Sequence, residues 1–143
     1  MKVGTAGLEC IKKSESCRLA AYLDTGGVWT IGWGHTKGAH QGQSCSQEQA
    51  DAWLIEDCAE AVAAVNKLVH VALTQNEFDA LVSFVFNIGA GQFAGSTMLK
   101  FLNADRKELA ALEFRKWRFD NHVEVRGLLE RRVREKCLFL APV

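Results

Sequence analysis

Three side chains near the start of the chain are of the types that break an acetal. Eight residues separate Glu15 from Asp24 and five separate Asp24 from Thr30, so two carboxylates and a hydroxyl share one short segment. Cleaving a glycosidic bond takes an acid to protonate the departing oxygen and a second carboxylate to activate water or steady the cationic sugar. Glu15 and Asp24 could fill these roles, and Thr30, able to donate to or accept from a water, could help hold the nucleophile. Taken singly, each residue has a plainer use. A Glu after a helix is usually solvated, an Asp before Thr-Gly-Gly usually forms a turn, and a Thr in a strand is usually a β-former. Which use applies depends on the elements that carry them.

Val3, Leu8 and Ile11 among good helix formers predict a short first helix over Val3 to Lys13, ending near Ser14. From Arg18 to Gln43 the texture changes to Tyr22, Val28, Trp29, Ile31 and Trp33 broken by glycines, which predicts a small antiparallel sheet built from hairpins. Glu15 then lies where a helix gives way to a sheet. Beside apolar Trp and Leu side chains its neutral, proton-donating form would be favoured, whereas Asp24 in a polar hairpin would stay ionised.

Ser46-Gln47-Glu48-Gln49 has the form of a capping box, and the apolar stripe Trp53, Leu54, Cys58, Ala61, Val62, Val65, Leu68 predicts one long helix from about 47 to 70. Thr74-Gln75-Asn76-Glu77 is a second box, opening an apolar helix that ends at Gly89-Ala90-Gly91. Shorter helices are expected around 97–103, 106–117 and 126–139, the middle one capped by Asp105 with Glu108 three residues on. The architecture expected is α+β in a single domain, 1–143. A sheet lobe spans about 15–45, a connecting helix about 47–70, and a helical lobe about 74–143 that includes the N-terminal helix. The ligand site is expected in the cleft between the lobes.

Composition narrows the function classes. With 17 Lys+Arg against 17 Asp+Glu the net charge is zero, so no nucleic-acid partner is called for. The balance is uneven, since Arg106 to Lys136 holds ten basic and six acidic residues, a surplus suited either to an anionic polymer or to a solvated helix face. Five cysteines (Cys10, Cys17, Cys45, Cys58, Cys137) show no metal-binding spacing, and no metal is expected. They read as reduced, largely buried thiols, with one or two disulfides as the alternative. Met1 to Ile11 has neither the apolar run of a signal peptide nor that of a membrane anchor.

The joint pattern resembles the phage-type lysozymes, whose motif of Glu, Asp and Thr at these two spacings is matched by Glu15, Asp24 and Thr30. Arg18-Leu19, Ala21-Tyr22-x-Asp24 and Thr30-Ile31-Gly32-x-Gly34-His35 match as well, as do Phe86-Asn87-Ile88-Gly89, Ser96-Thr97 and Gly127-Leu128-x-x-Arg131-Arg132-x-x-Glu135 further on. The resemblance implies a lysozyme-like fold and an endolysin, a muramidase that hydrolyses the β-1,4 bond between N-acetylmuramic acid and N-acetylglucosamine of peptidoglycan without a cofactor. It implies Glu15 as general acid, Asp24 and Thr30 managing water in an inverting reaction, Asn87 lining the cleft against an acetamido group, and His35 at the site but chiefly structural, paired with Asp57. It further implies a monomer that accumulates in the host bacterial cytoplasm and reaches the wall when a holin opens the inner membrane. One departure is Ser16 after the acid, where many members carry Gly; a left-handed backbone there would strain a serine. Cysteine near the cleft keeps some exported members inactive until release, which makes a disulfide switch at Cys17 or Cys45 an expectation to examine. A lytic transglycosylase, which needs neither Asp24 nor Thr30, and a wall-binding module without catalysis are the rival readings.

Overall fold

The computed structural model describes residues 1–143. The first helix, α1, runs Thr5–Ser14 and has no capping side chain of its own. Its cap comes from far along the chain: the buried Asp79 accepts from the amides of Gly4 at 2.8 Å and Gly7 at 3.1 Å, so one carboxylate both closes the helix start and fixes it to another element. Strands β1 (Arg18–Leu23) and β2 (Trp29–Gly32) pair antiparallel, with Tyr22 opposite Thr30 and Leu23 opposite Trp29. Single bridges from Ala20 to Ser44 and from Ile31 to His35 extend this small sheet.

Where one rod was expected, two helices abut, α2 (Gln47–Asp57) and α3 (Ala59–Leu68). Cys58 between them keeps a right-handed helical backbone and exchanges hydrogen bonds with Leu54 and Val62, so the interruption is a single residue. Ser46 caps α2 by accepting from the Gln49 amide, without the return bond a full box would have. Thr74 and Glu77 form the complete reciprocal box at the start of α4 (Gln75–Ile88).

Helix α4 is the axis of the core. Phe78 and every residue from Asp79 to Val85 are buried, and α1, α3 and α8 pack around it. Burial on all sides is what its apolar density dictates. After Gly89, at φ +93, come α5 (Ala90–Ala94), α6 (Thr97–Asn103) and α7 (Lys107–Glu113), which runs into a 3₁₀ turn at Phe114–Lys116. Asp105 does not cap α7. It sits at φ +58 closing the end of α6, with its amide on Leu102 and that of Arg106 on Phe101, and Arg106 precedes α7 without a side-chain cap. A small hairpin, β3 (Phe119–Asp120) and β4 (Val123–Glu124), lies where the sequence predicts no strand; it turns on Asn121 and His122, both at positive φ, of which only Asn is a usual turn signal. The last helix, α8, spans Arg126–Leu140.

Phe84 centres the aromatic packing, edge-on to Phe93, Phe114 and Trp117 at centroid distances of 6.5, 5.2 and 5.8 Å. Phe84→Ala is expected to cost about 3–5 kcal/mol in denaturant unfolding, whereas Leu112→Ala at an exposed position should stay within about 0.5 kcal/mol.

Candidate active site

Helix α1 ends because the backbone turns extended at Glu15 (φ −105, ψ 146), whose amide closes the last turn on Ile11. The Glu15 side chain is about one third exposed. Its Oε1 lies 3.4 Å from Nη1 of Arg131, a buried arginine on α8. Its Oε2 faces the turn after β2: a Cβ added at Gly34 would stand 3.6 Å from it, and Gly34 is at φ +89. The sheet lobe thus approaches the carboxyl through bare backbone, at a position few side chains tolerate. Ser16 is not in the left-handed region, so it carries none of the strain considered for it.

Glu15 lines a cavity of about 390 Å³ with Lys13, Ser14, Asn87, Arg131 and Arg134 among its neighbours. Of the apolar surroundings expected for Glu15, a leucine (Leu128) lines the cavity with Val125, but no tryptophan does. Trp29 pairs with Leu23 in the sheet, and the other three tryptophans are engaged elsewhere. Trp33 donates from Nε1 to Asp51 at 2.7 Å, Trp53 stacks on His35 with centroids 4.6 Å apart, and Trp117 lines an adjoining groove of about 460 Å³ that shares Asn87, Val125 and Leu128 with the first.

Asp24 sits in the tight turn between β1 and β2. Its Oδ1 accepts from the amides of Gly26 and Val28, both at 2.9 Å, which leaves Oδ2 without a protein partner. Thr30 is buried on β2 and its hydroxyl donates to the Val28 carbonyl at 3.0 Å, so its proton is committed and its lone pairs are not. Neither residue lines the Glu15 cavity. Both belong to the sheet whose Gly34 turn abuts Glu15.

His35 is buried, exchanges backbone hydrogen bonds with Ile31, and sets Nδ1 2.8 Å from Asp57 Oδ2. Its ring is thereby fixed to α2. Asn87 is exposed at the last turn of α4, with Oδ1 accepting from Arg132 Nη2 at 3.0 Å. A third fastening joins α1, the hairpin and α2: Asp51 accepts from Trp33 and from Gln47, and Lys12 lies 3.5 Å away. The Trp33 and Gln47 hydrogen bonds, with Lys12 contributing, hold the Asp51 carboxyl below the usual aspartate range.

An α+β chain with a carboxyl at a helix-to-sheet junction, open to a groove against a helical lobe, has the lysozyme-like fold. The chain superposes on the muramidase domain of SpmX from Asticaccaulis excentricus with a TM-score of 0.92, at 44% identity over 99% of both chains. The phage lysozyme family matches residues 12–135, and the chain belongs to that family. It is 43% identical to the endolysin of Acyrthosiphon pisum secondary endosymbiont phage 1, over 97% of this chain and 98% of that one. It is 39% identical to the endolysin of Salmonella phage P22, over 99% of each.

In the sequence Arg131 stands out only as part of the Gly-Leu-x-x-Arg-Arg motif. Nothing local announces that it meets Glu15, 116 residues earlier. The five cysteines are all free thiols. Burial pushes Cys58 up to about 12, with Asp57 adding to the effect, and burial likewise raises Cys10. Burial first, and then the neighbouring Cys17, raise Cys45. Because only thiolates react, a thiol reagent at about pH 8 should leave Cys10 and Cys58 unmodified in the native protein and modify all five in denaturant. Mass spectrometry of the labelled chain checks this; fewer than five thiols in denaturant would reveal a disulfide.

Proposed function

We propose that this phage lysozyme hydrolyses the β-1,4 bond between N-acetylmuramic acid and N-acetylglucosamine in peptidoglycan, with Glu15 as general acid and with Asp24 and Thr30 managing the attacking water. Family membership makes the chain a lytic hydrolase of bacterial cell walls, an endolysin. The observation that carries the finer reading is the place of Glu15. It sits at the end of α1, partly exposed, between a buried arginine and the glycine backbone of the sheet turn.

On this reading a glycan strand lies in the groove with its glycosidic oxygen at Glu15. Proton donation leaves a carboxylate beside Arg131, whose charge offsets the negative charge as it develops. Asp24 is held by two backbone amides at Oδ1, so Oδ2 is the oxygen available to take a proton from water. Thr30 can accept a second hydrogen bond from that water through its free lone pairs. Water arriving from the sheet side attacks the face opposite the leaving oxygen and inverts the anomeric centre. Asn87, with Oδ1 taken by Arg132, can offer Nδ2 to a substrate acetamido carbonyl. The proposal needs no cofactor. It includes a monomer that waits in the host cytoplasm for a holin.

Glu15→Gln keeps the shape and removes the proton, so clearing of purified peptidoglycan should fall by about two orders of magnitude or more. Wild type should release hydrated reducing ends, α at the new anomeric centre by NMR, and Asp24→Asn should fall nearly as far. Anhydro products with an active Asp24→Asn variant would make the protein a transglycosylase. Binding of the strands without turnover would make it a wall-binding module.

A further inference from the structure

Helix α8 buries three charges of its motif, Arg131, Arg132 and Glu135, while Arg134 between them is only partly buried. Charges removed from water are costly to hold and are kept where they fix a geometry. Glu135 is completely enclosed and is the hub of the set. Its Oε2 accepts from Ser83 Oγ at 2.6 Å, from Arg131 Nε at 3.2 Å and from Arg132 Nη2 at 3.3 Å, and its Oε1 lies 2.7 Å from Arg132 Nε.

Each arginine leads from this hub to a different side chain of the groove. Arg131 is gripped at Nε by Glu135 and at Nη2 by the Ser83 carbonyl at 3.1 Å, so Nη1 is the end left to reach Glu15. Arg132 lies with its guanidinium 4.9 Å from the Phe84 ring centre and donates from Nη2 to Asn87 Oδ1. That bond selects which end of the Asn87 amide is free. Oδ1 is turned inward, and Nδ2 is left to face a ligand carbonyl.

We propose that Glu135, a residue with no access to substrate, is a positioning residue for both sides of the site: through Arg131 it holds the carboxyl of Glu15, and through Arg132 it turns the Asn87 amide to receive an acyl carbonyl of the sugar. The proposal rests on the reading of Glu15 as the acid. Charge fits it, because the Glu135 carboxylate lies against both Arg131 and Arg132, and proton donation by Glu15 leaves a second carboxylate beside Arg131. Glutamine at position 135 would neither neutralise the arginines nor hold both forks, although it fills the same space.

The two routes separate in kinetics on soluble, uncross-linked peptidoglycan strands. Arg132→Gln should raise KM about tenfold with kcat within about twofold, Arg131→Gln should lower kcat about tenfold, and Glu135→Gln should do both. Adding Arg132→Gln to Glu135→Gln should raise KM no further, since both changes cut the same link. A folded Glu135→Gln variant with wild-type kcat and KM overturns the proposal. Should that variant not fold, Arg131→Gln and Arg132→Gln carry the test, and identical effects of the two on kcat and KM overturn it. Glu15→Gln is run alongside. Activity retained there defeats the reading of the acid itself, whereas an inactive Glu15→Gln without the kinetic split defeats only the role of Glu135.

Discussion

The contact between Arg131 and Glu15 joins the two ends of the chain, and the site depends on it more than on any other. It fixes where Glu15, the residue that follows α1, lies against α8. The helix is held at both ends, by Asp79 at its start and by Arg131 and the Arg134 to Ser14 hydrogen bond at its finish. Apolar burial supplies the drive, with Ile11 and the whole inner face of α4 removed from water. Burial alone is non-directional and would let α1 slide or rotate. The polar contacts select one placement, and that placement points a carboxyl into the groove.

The sheet lobe obeys a second constraint. A two-stranded hairpin is marginal in water without something to pack on. Here α2 provides it, through the His35 pair with Asp57, the stack of His35 on Trp53, and the reach of Trp33 to Asp51. Gly32, at φ +66, lets the end of β2 lie against Ala50, where an added Cβ would stand 3.1 Å from the alanine's own. The lobe that carries Asp24 and Thr30 is therefore positioned by the helix next in sequence, while Glu15 is positioned by α8 from the far end of the chain. The sheet lobe and Glu15 thus have separate supports.

Much of this was readable from the residues, for a physical reason. Glu15, Asp24 and Thr30 fall within a segment whose folding is local, so their spacing carries information directly. The box at Thr74 and the apolar stripe of α4 are likewise short-range signals. What escaped is what depends on distant partners. Arg131 and Glu135 are legible as members of a motif, but their burial and their partners arise only when α4 and α1 close over them, and the setting of Glu15 is mostly polar because α8 brings arginines where tryptophans were expected. Asp105 carries a cap signal, yet it is used to end α6 in a left-handed conformation. The small hairpin at 119–124 turns on a histidine at positive φ, for which composition offers no cue.

The most direct test of the account is a crystal structure of the Glu15→Gln variant with a peptidoglycan tetrasaccharide bound. The account predicts a glycosidic oxygen within about 3 Å of the residue 15 amide, with an acetamido carbonyl on Asn87 and a water on the free oxygen of Asp24, on the opposite face of the sugar. A saccharide seated elsewhere, such as in the groove between α1 and α8 beside Cys10 and Cys137, or one whose scissile bond lies out of reach of residue 15, would contradict it.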